Sequence, residues 1–374
     1  MPTMRTFSFL LAAAALAPFA SAQKINDTVV KKDGSRVRGV EITEFLLTGV
    51  RGKRGNDAFE IPAHQIVAVE WSDAPEQFLT GRAAMDRGDF RTATQLFGDV
   101  KSERALVNAD AEFFKIKAAV GAIGNDKAAA TTAAEFAKKW LAANQNHWRT
   151  PEAMLLGGRA ERLAGTGGAA AATLKELDDR AGREAWGATW SARAKAELAQ
   201  TLLGDGKASE ARTMFQAAST AADSALAQPS DDTAELKALK TMARVGEGET
   251  YLVDKDYGKA ESFFRGLVTS NQADLVGAGH AGEGEAQFLA ALAANRPDDI
   301  RKAQMSLALA CVHDAQSGEA SAKANYYLGR CLLALGAERE GDTWKQRANA
   351  YFQIVVNNYA SSRWAGPAKV EQAK

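Results

Sequence analysis

Four times between residues 76 and 264 a small residue is followed twelve positions later by a second small residue, and four positions after that by a bulky apolar one. The copies read Gly81, Ala93 and Phe97; Gly158, Ala170 and Leu174; Ala199, Ala211 and Phe215; and Gly248, Ala260 and Phe264. Two antiparallel helices approach closely only where the crossing residues lack bulk, so glycine or alanine is required there. The bulky residue one turn later fills the wedge between the diverging helices. One such pair cannot bury its own apolar face, and the next pair stacked upon it completes the core. The spacing therefore predicts a mainly α chain built as a stacked helical array, a design suited to holding other molecules.

Further positions keep step with these: Ala84, Gly88 and Phe90 in the first copy, Gly165 in the second, Leu202 and Gly206 in the third, Tyr251 and Tyr257 in the fourth. Together the small and aromatic positions resemble the tetratricopeptide repeat family, whose period is about 34 residues. The family's early tryptophan is absent, with Gln77, Lys195 and Arg244 at the equivalent places, and its terminal proline is mostly missing. The segment Tyr359, Ala360, Ser361, Ser362 is similar to the repeat-ending Tyr-Pro-x-Ser of exported members, with alanine for proline.

The resemblance implies an α-solenoid of about seven tetratricopeptide-like helix pairs over residues 75–374. It also implies a concave surface of first-helix side chains on which an extended peptide or a partner's helix lies. Candidates for that face are Gln77, Arg82 and Met85; Lys195 and Gln200; Arg244 and Glu249; and Asn325, Tyr326 and Arg330. Their mixed charge suits a selective protein ligand better than a polyanion. In the family such modules assist envelope assembly, protein complexes or secretion, so the resemblance implies a non-enzymatic scaffold with a protein or peptide partner.

Three units depart from the regular spacing. Around residues 113–140 the run Ala128, Ala129, Ala130, Ala133, Ala134, Phe136 is helical, but the offset between small residues is unclear. In the last two units Gly284 to Ala303 and Gly329 to Ala348 are each seven residues longer than the regular offset. Either the connections lengthen or the first helices extend. Asn295, Arg296, Pro297, Asp298 and Asp299 favour a loop in the first case, because proline breaks helix interiors and aspartate suits helix starts. Residues 338–342 offer a similar loop in the second.

Ahead of the repeats, residues 24–72 alternate differently. Val29 and Val30 precede a Lys32, Asp33, Gly34, Ser35 turn, then come Val37 and Val40; Phe45 to Leu47 start another run, broken by the glycines of 49–55. Phe59 and Ile61, then Val67, Val69 and Trp71, complete five short strands with the last one half-buried by alternation. So short a β segment needs closure or strong bending to protect its edges. It looks like the SH3-like or Sm-like β-barrel domains found ahead of helical repeats in some exported bacterial proteins. Lys31, Lys32, Arg36, Arg38, Arg51, Lys53 and Arg54 outnumber Asp33, Glu41 and Glu44 here; basic residues on edge strands guard against aggregation, and a patch for an anionic partner is the other reading.

Residues 1–22 read as a secretory signal. Arg5 supplies the basic start, the run from Phe7 to Ala17 the apolar segment, and Ala20, Ser21, Ala22 the small-x-small cleavage site before Gln23. The apolar run is too short to span a bilayer, and no cysteine follows the cleavage site to carry a lipid. The expectation is an exported chain, periplasmic or secreted, cleaved after Ala22, with no transmembrane segment. Basic and acidic residues balance at 46 each, so no long-range field recruits nucleic acid.

Little points to chemistry. His64, His147, His280 and His313 make no metal-ligand spacing beyond His313 with Cys311, two apart on a helix, where side chains diverge. Gly277, Gly279 and Gly282 satisfy G-x-G-x-x-G, but no strand precedes them and helix packing explains them. Asp178-Asp179, Asp231-Asp232 and Asp298-Asp299 read as caps and turns. No catalytic, cofactor-binding or metal-ligating residue is assigned. Cys311 and Cys331 fall on successive units, where they form a disulfide or serve as small buried hydrophobes. Trp140, Trp186 and Trp190 read as core, while Trp148 and Trp364 stay open and Trp344 sits near a connection. Exposed tryptophans together with the β unit give the alternative of a carbohydrate- or cell-wall-binding protein.

Overall fold

The computed structural model describes residues 25–184, 186–227, 232–270, 272–314, 318–336 and 343–373. The signal segment, the loop at 338–342 and Asp231 lie outside the described residues. Five antiparallel strands come first: β1 (Asp27–Lys31), β2 (Arg36–Leu46), β3 (Gly49–Arg54), β4 (Asp57–Pro62) and β5 (Ile66–Glu70), in the order β4-β3-β2-β1-β5. β2 is eleven residues long; its first half pairs with β1 and its second with β3, which bends the sheet around it.

Two details differ from the sequence reading. Phe45 and Leu46 end β2 instead of starting a strand, and the glycine-rich stretch is itself β3. Gly52 explains why: a side chain there would run into the Glu41 main-chain oxygen of β2 and into the Phe59 ring at 2.7 Å, so glycine serves close strand packing. Val67 does not follow the inward alternation. The register slips opposite Val30 and Lys31, leaving Val67 52% exposed while Val69 and Trp71 stay buried.

Fifteen helices follow among the described residues. They pair as α1 (Glu76–Asp86) with α2 (Phe90–Gly98), α3 (Ala105–Gly121) with α4 (Lys127–Ala143), α5 (Thr150–Ala164) with α6 (Gly167–Arg183), and α7 (Ala188–Gly204) with α8 (Ala208–Leu226). Then come α9 (Thr233–Val253) with α10 (Tyr257–Val268), α11 (Ala273–Ala293) with α12 (Ile300–His313), and α13 (Glu319–Gly336) with α14 (Thr343–Asn358); α15 (Ala365–Gln372) closes the stack. The fold is an α-solenoid of tetratricopeptide-like pairs behind a small antiparallel sheet. Asp89, Asp126 and Asp256 cap the second helices of their pairs through side-chain acceptance of backbone N–H groups.

The small residues lie where the spacing placed them. A Cβ on Gly158 would stand 2.7 Å from Leu174, one on Gly248 2.6 Å from Phe264, one on Gly284 2.6 Å from Leu307 and one on Gly329 2.6 Å from Phe352. The bulky residue thus lies directly on the first small residue of its own pair, not in a wedge beyond it. Phe264 also receives Gly282 of the next pair, so glycine backbone flanks the ring from two successive helices. In the irregular second unit the twelve-residue offset runs from Ala118 to Ala130, both fully buried, with Ala134 where other pairs carry Phe or Leu. The sixth unit divides its extra length: α11 runs a full turn past the usual end, and Asn295 to Asp299, with a 3-10 turn at Pro297–Asp299, lengthens the connection.

Gly277, Gly279 and Gly282 sit mid-way along α11, against the chain at His313, Val268 and Phe264 respectively. Asp178 lies within α6, not in a loop, and accepts from Ser191 Oγ at 2.6 Å. Both thiols are free: Cys331 is buried and its pKa is pushed up to about 12 by burial, whereas Cys311 is exposed, with Asn325 Nδ2 3.5 Å from its sulfur. Sheet and solenoid share one core. Trp71 at the end of β5 donates to the buried carboxylate of Asp110 on α3 at 3.1 Å, and Arg104 reaches the fully buried Asp27 of β1 at 2.7 Å.

Candidate functional site

First helices of successive pairs touch along the array, α3 to α5, α5 to α7, α7 to α9, α9 to α11 and α11 to α13. Against the N-terminal half of this inner face stands the sheet. Between them opens a cleft of about 960 Å³. Lys32, Leu47, Thr48, His64 and Val67 from the turns and the bulged edge of the sheet form one side. Leu155, Leu156 and Arg159 of α5, the α4–α5 connection at Trp148 and Arg149, and Trp186 and Trp190 at the entry to α7 form the other. The register slip in β5 is what turns Val67 out to this position.

The cleft's charges are spoken for. Lys32 meets Asp232 at the start of α9 at 2.8 Å, Lys117 meets Glu152 at 2.8 Å, and Arg193 meets Glu235. Arg159 pairs with Glu197, and Arg180 with Glu184 at 2.7 Å. Burial works to raise the Glu152 carboxyl, but Lys117 and Arg149 outweigh it and hold the group below its usual range. Arg149 is 3% exposed and gives Nε to Asp110 at 2.9 Å. Burial, with Arg149 alongside, drives the His147 imidazole well below its ordinary pKa, so it stays neutral and its Nδ1 accepts from the Arg149 amide at 3.1 Å.

Three donors remain over. Trp148 Nε1, Trp186 Nε1 and Arg149 Nη2 are buried with no hydrogen-bond partner among the described residues. Trp148 and Trp186 are each 6% exposed. Each cleft tryptophan also carries a guanidinium over its ring: Arg149 on Trp148 at 4.1 Å, Arg180 on Trp186 at 4.8 Å, Arg193 on Trp190 at 4.2 Å. The carbohydrate-binding alternative needs exposed tryptophans, and the structure does not supply them. All seven are buried or half-buried. Trp140 and Trp186 pack in the core as expected, and Trp364 stacks near Tyr326 and Tyr327.

Most of the residues chosen from sequence for the concave face are engaged within the chain itself. Arg82 is half-buried over the Phe114 ring at 4.2 Å, and Met85 packs against the first core. Lys195 pairs with Asp178, Gln200 reaches Met242, and Arg244 pairs with Glu247 at 2.7 Å. Glu249, Asn325 and Tyr326 are buried, and Arg330 lies over Phe288. Gln77 alone is exposed. The reason is visible in α13, whose residues 320–329 are all buried. Arg363, just before α15, reaches back to Glu249 on α9, while Lys323 stands between Glu249 and Glu285 and Tyr327 donates to Glu285. The inner face of the C-terminal half is therefore filled by its own ion pairs. Lys32 pins the sheet to α9 and Arg363 pins the C-terminal segment to it, so α9 joins both ends of the molecule.

His280 and His313 stack at 5.5 Å, while Cys311 turns toward Asn325, the divergence that their spacing on a helix predicts. Among the described residues no group of three or more His, Cys, Asp or Glu converges as a metal site, and no helix is long and apolar enough to cross a membrane. The cleft residues carried no periodic signal; tryptophans clustered at helix connections were the one trace of it in the sequence.

No protein-family model matches this chain, and no curated protein matches it in sequence. Three solved structures are similar to it in part. A Rap protein complexed with competence and sporulation factor is 12% identical, with 79% of this chain and 75% of that one covered and a TM-score of 0.44. The apo form of RapI is 12% identical, with 79% of each chain covered and a TM-score of 0.46. The C-terminal part of a TPR repeat-containing protein from Cytophaga hutchinsonii is 12% identical over 78% of this chain and 98% of that one, with a TM-score of 0.39.

Proposed function

We propose that this chain is an exported, non-enzymatic scaffold that holds an extended segment of a protein partner in the cleft between sheet and solenoid, in the assembly of envelope complexes. The cleft itself carries this reading. It encloses about 960 Å³, is walled by aromatic and aliphatic side chains, and is supplied with a few polar groups, the composition of a ligand site. Its ion pairs are internally satisfied, which favours an uncharged, apolar segment over a polyanion. The secretory features of residues 1–22 support export.

Panning a displayed heptapeptide library against the purified chain tests the binding role. Recovered peptides should bind with a Kd of roughly 100 µM or tighter, and Leu155→Arg should abolish that binding while circular dichroism stays unchanged. Recovery of no such peptide, or binding indifferent to Leu155→Arg, removes the cleft from consideration. Export is tested separately by the mature N-terminus, expected at Gln23 in the protein recovered from outside the cytoplasm.

A further inference from the structure

The geometry points to main-chain carbonyl oxygens as what the cleft recognises: the partner's backbone accepts from the indole N–H groups of Trp148 and Trp186, with Arg149 Nη2 as a third donor. This rests on the peptide-binding reading and specifies how the peptide is read. Three observations combine. All three groups belong to residues more than nine-tenths buried, all three line the one cleft, and all three have a polar hydrogen with no acceptor among the described residues. Buried N–H groups are almost always paired in folded proteins, so unpaired donors on three residues that line one cleft mark a place where acceptors arrive from outside.

The nature of those acceptors follows from the surroundings. Charged neighbours are engaged with one another, so a carboxylate or phosphate would find only Arg149, itself bound to Asp110. A sugar bound through ring stacking needs an open indole face, and both rings are buried, with a guanidinium over one face of each. Amide carbonyls, neutral and repeated along an extended chain, fit donors without free charge. The three N–H groups are themselves shielded from solvent, so a ligand reaches them only with the side-chain adjustments common at interfaces. Val67 on the facing sheet edge then meets the peptide's side chains.

The test uses the full mature chain with 15N-labelled tryptophan and, as probe, the tightest heptapeptide recovered by panning, blocked at both ends. Binding should move the Trp148 and Trp186 indole N–H resonances downfield. Amide-to-ester replacements along the probe, each weakening one carbonyl, should lower affinity roughly three- to tenfold at two positions. Those losses should vanish in Trp148→Phe and Trp186→Phe. If the probe binds with both indole resonances unmoved and no ester position matters, the inference is overturned while peptide binding stands. If no probe binds, both fall together. Movement of the same resonances by peptidoglycan fragments, with none by peptide, would replace the backbone with a glycan and likewise overturn it.

Discussion

Gly248→Ala sets two forces against each other. Gly248 lies inside α9, where alanine is intrinsically preferred by about 1 kcal/mol. Yet the added methyl would stand 2.6 Å from Phe264 Cζ, 2.7 Å from its Cε1 and 2.9 Å from Phe263 Cδ1, all well inside van der Waals contact. Phe264 is fully buried and cannot retreat, because Gly282 of the next pair already lies against the same ring. Overpacking of this kind costs roughly 1–3 kcal/mol, and a ring held from two sides belongs near the top of that range. The expected net loss is about 2 kcal/mol after the propensity gain. Gly266→Ala in α10 is the control: it has no heavy atom within 4 Å and should gain up to about 1 kcal/mol. Urea unfolding followed by circular dichroism compares the two, with amide exchange in α9 to α11 locating the loss in an array that need not unfold as one unit. Phe264→Leu should recover part of the loss in the Gly248→Ala background. A Gly248→Ala protein as stable as the parent would refute close helix approach as the reason for these glycines.

Other outcomes follow from the same structure. Arg363 and Lys323 overcome burial to hold Glu249 at about 2, below its ordinary 4.5; the resulting stability is present above pH 4.5 and lost as pH falls toward 2. Glu249→Gln should therefore cost about 3 kcal/mol at pH 7, with the two proteins converging in urea melts near pH 2. His147 stays neutral when folded but takes a proton when unfolded, so the parent loses stability as pH falls below 6.5, and His147→Asn should flatten that slope in melts between pH 6.5 and 5. Lys255 holds a left-handed φ of 58° at the turn where the third copy has Gly206; Lys255→Gly should raise the urea midpoint, with a gain of about 1 kcal/mol.

The helical half was legible because its information is local and repeated. Twelve residues from one small side chain to the next is a fact about two helices and one turn, and Gly248, Ala260 and Phe264 meet in space as their spacing requires. The second unit was obscure only because Ala134 replaces the bulky member. Strand assignment was weaker: β3 is rich in glycine, which reads as a loop until Phe59 is seen to need the room.

By itself, then, the sequence determined that helices would pair, where the pairs would touch, and that a β segment would precede them. Tertiary structure alone decided where the cleft opens. Lys32, Val67, Trp148, Trp186 and Asp232 share no period, and they meet only because the sheet folds back onto the inner face and binds α9. The concave face expected from the resemblance is closed in the C-terminal half for the same kind of reason: Arg363 and Glu249, 114 residues apart, find each other through the curvature of the stack. Spacing fixes contacts within a pair, but the sum of small rotations between pairs fixes which distant residues converge, and that sum is a property of the whole array.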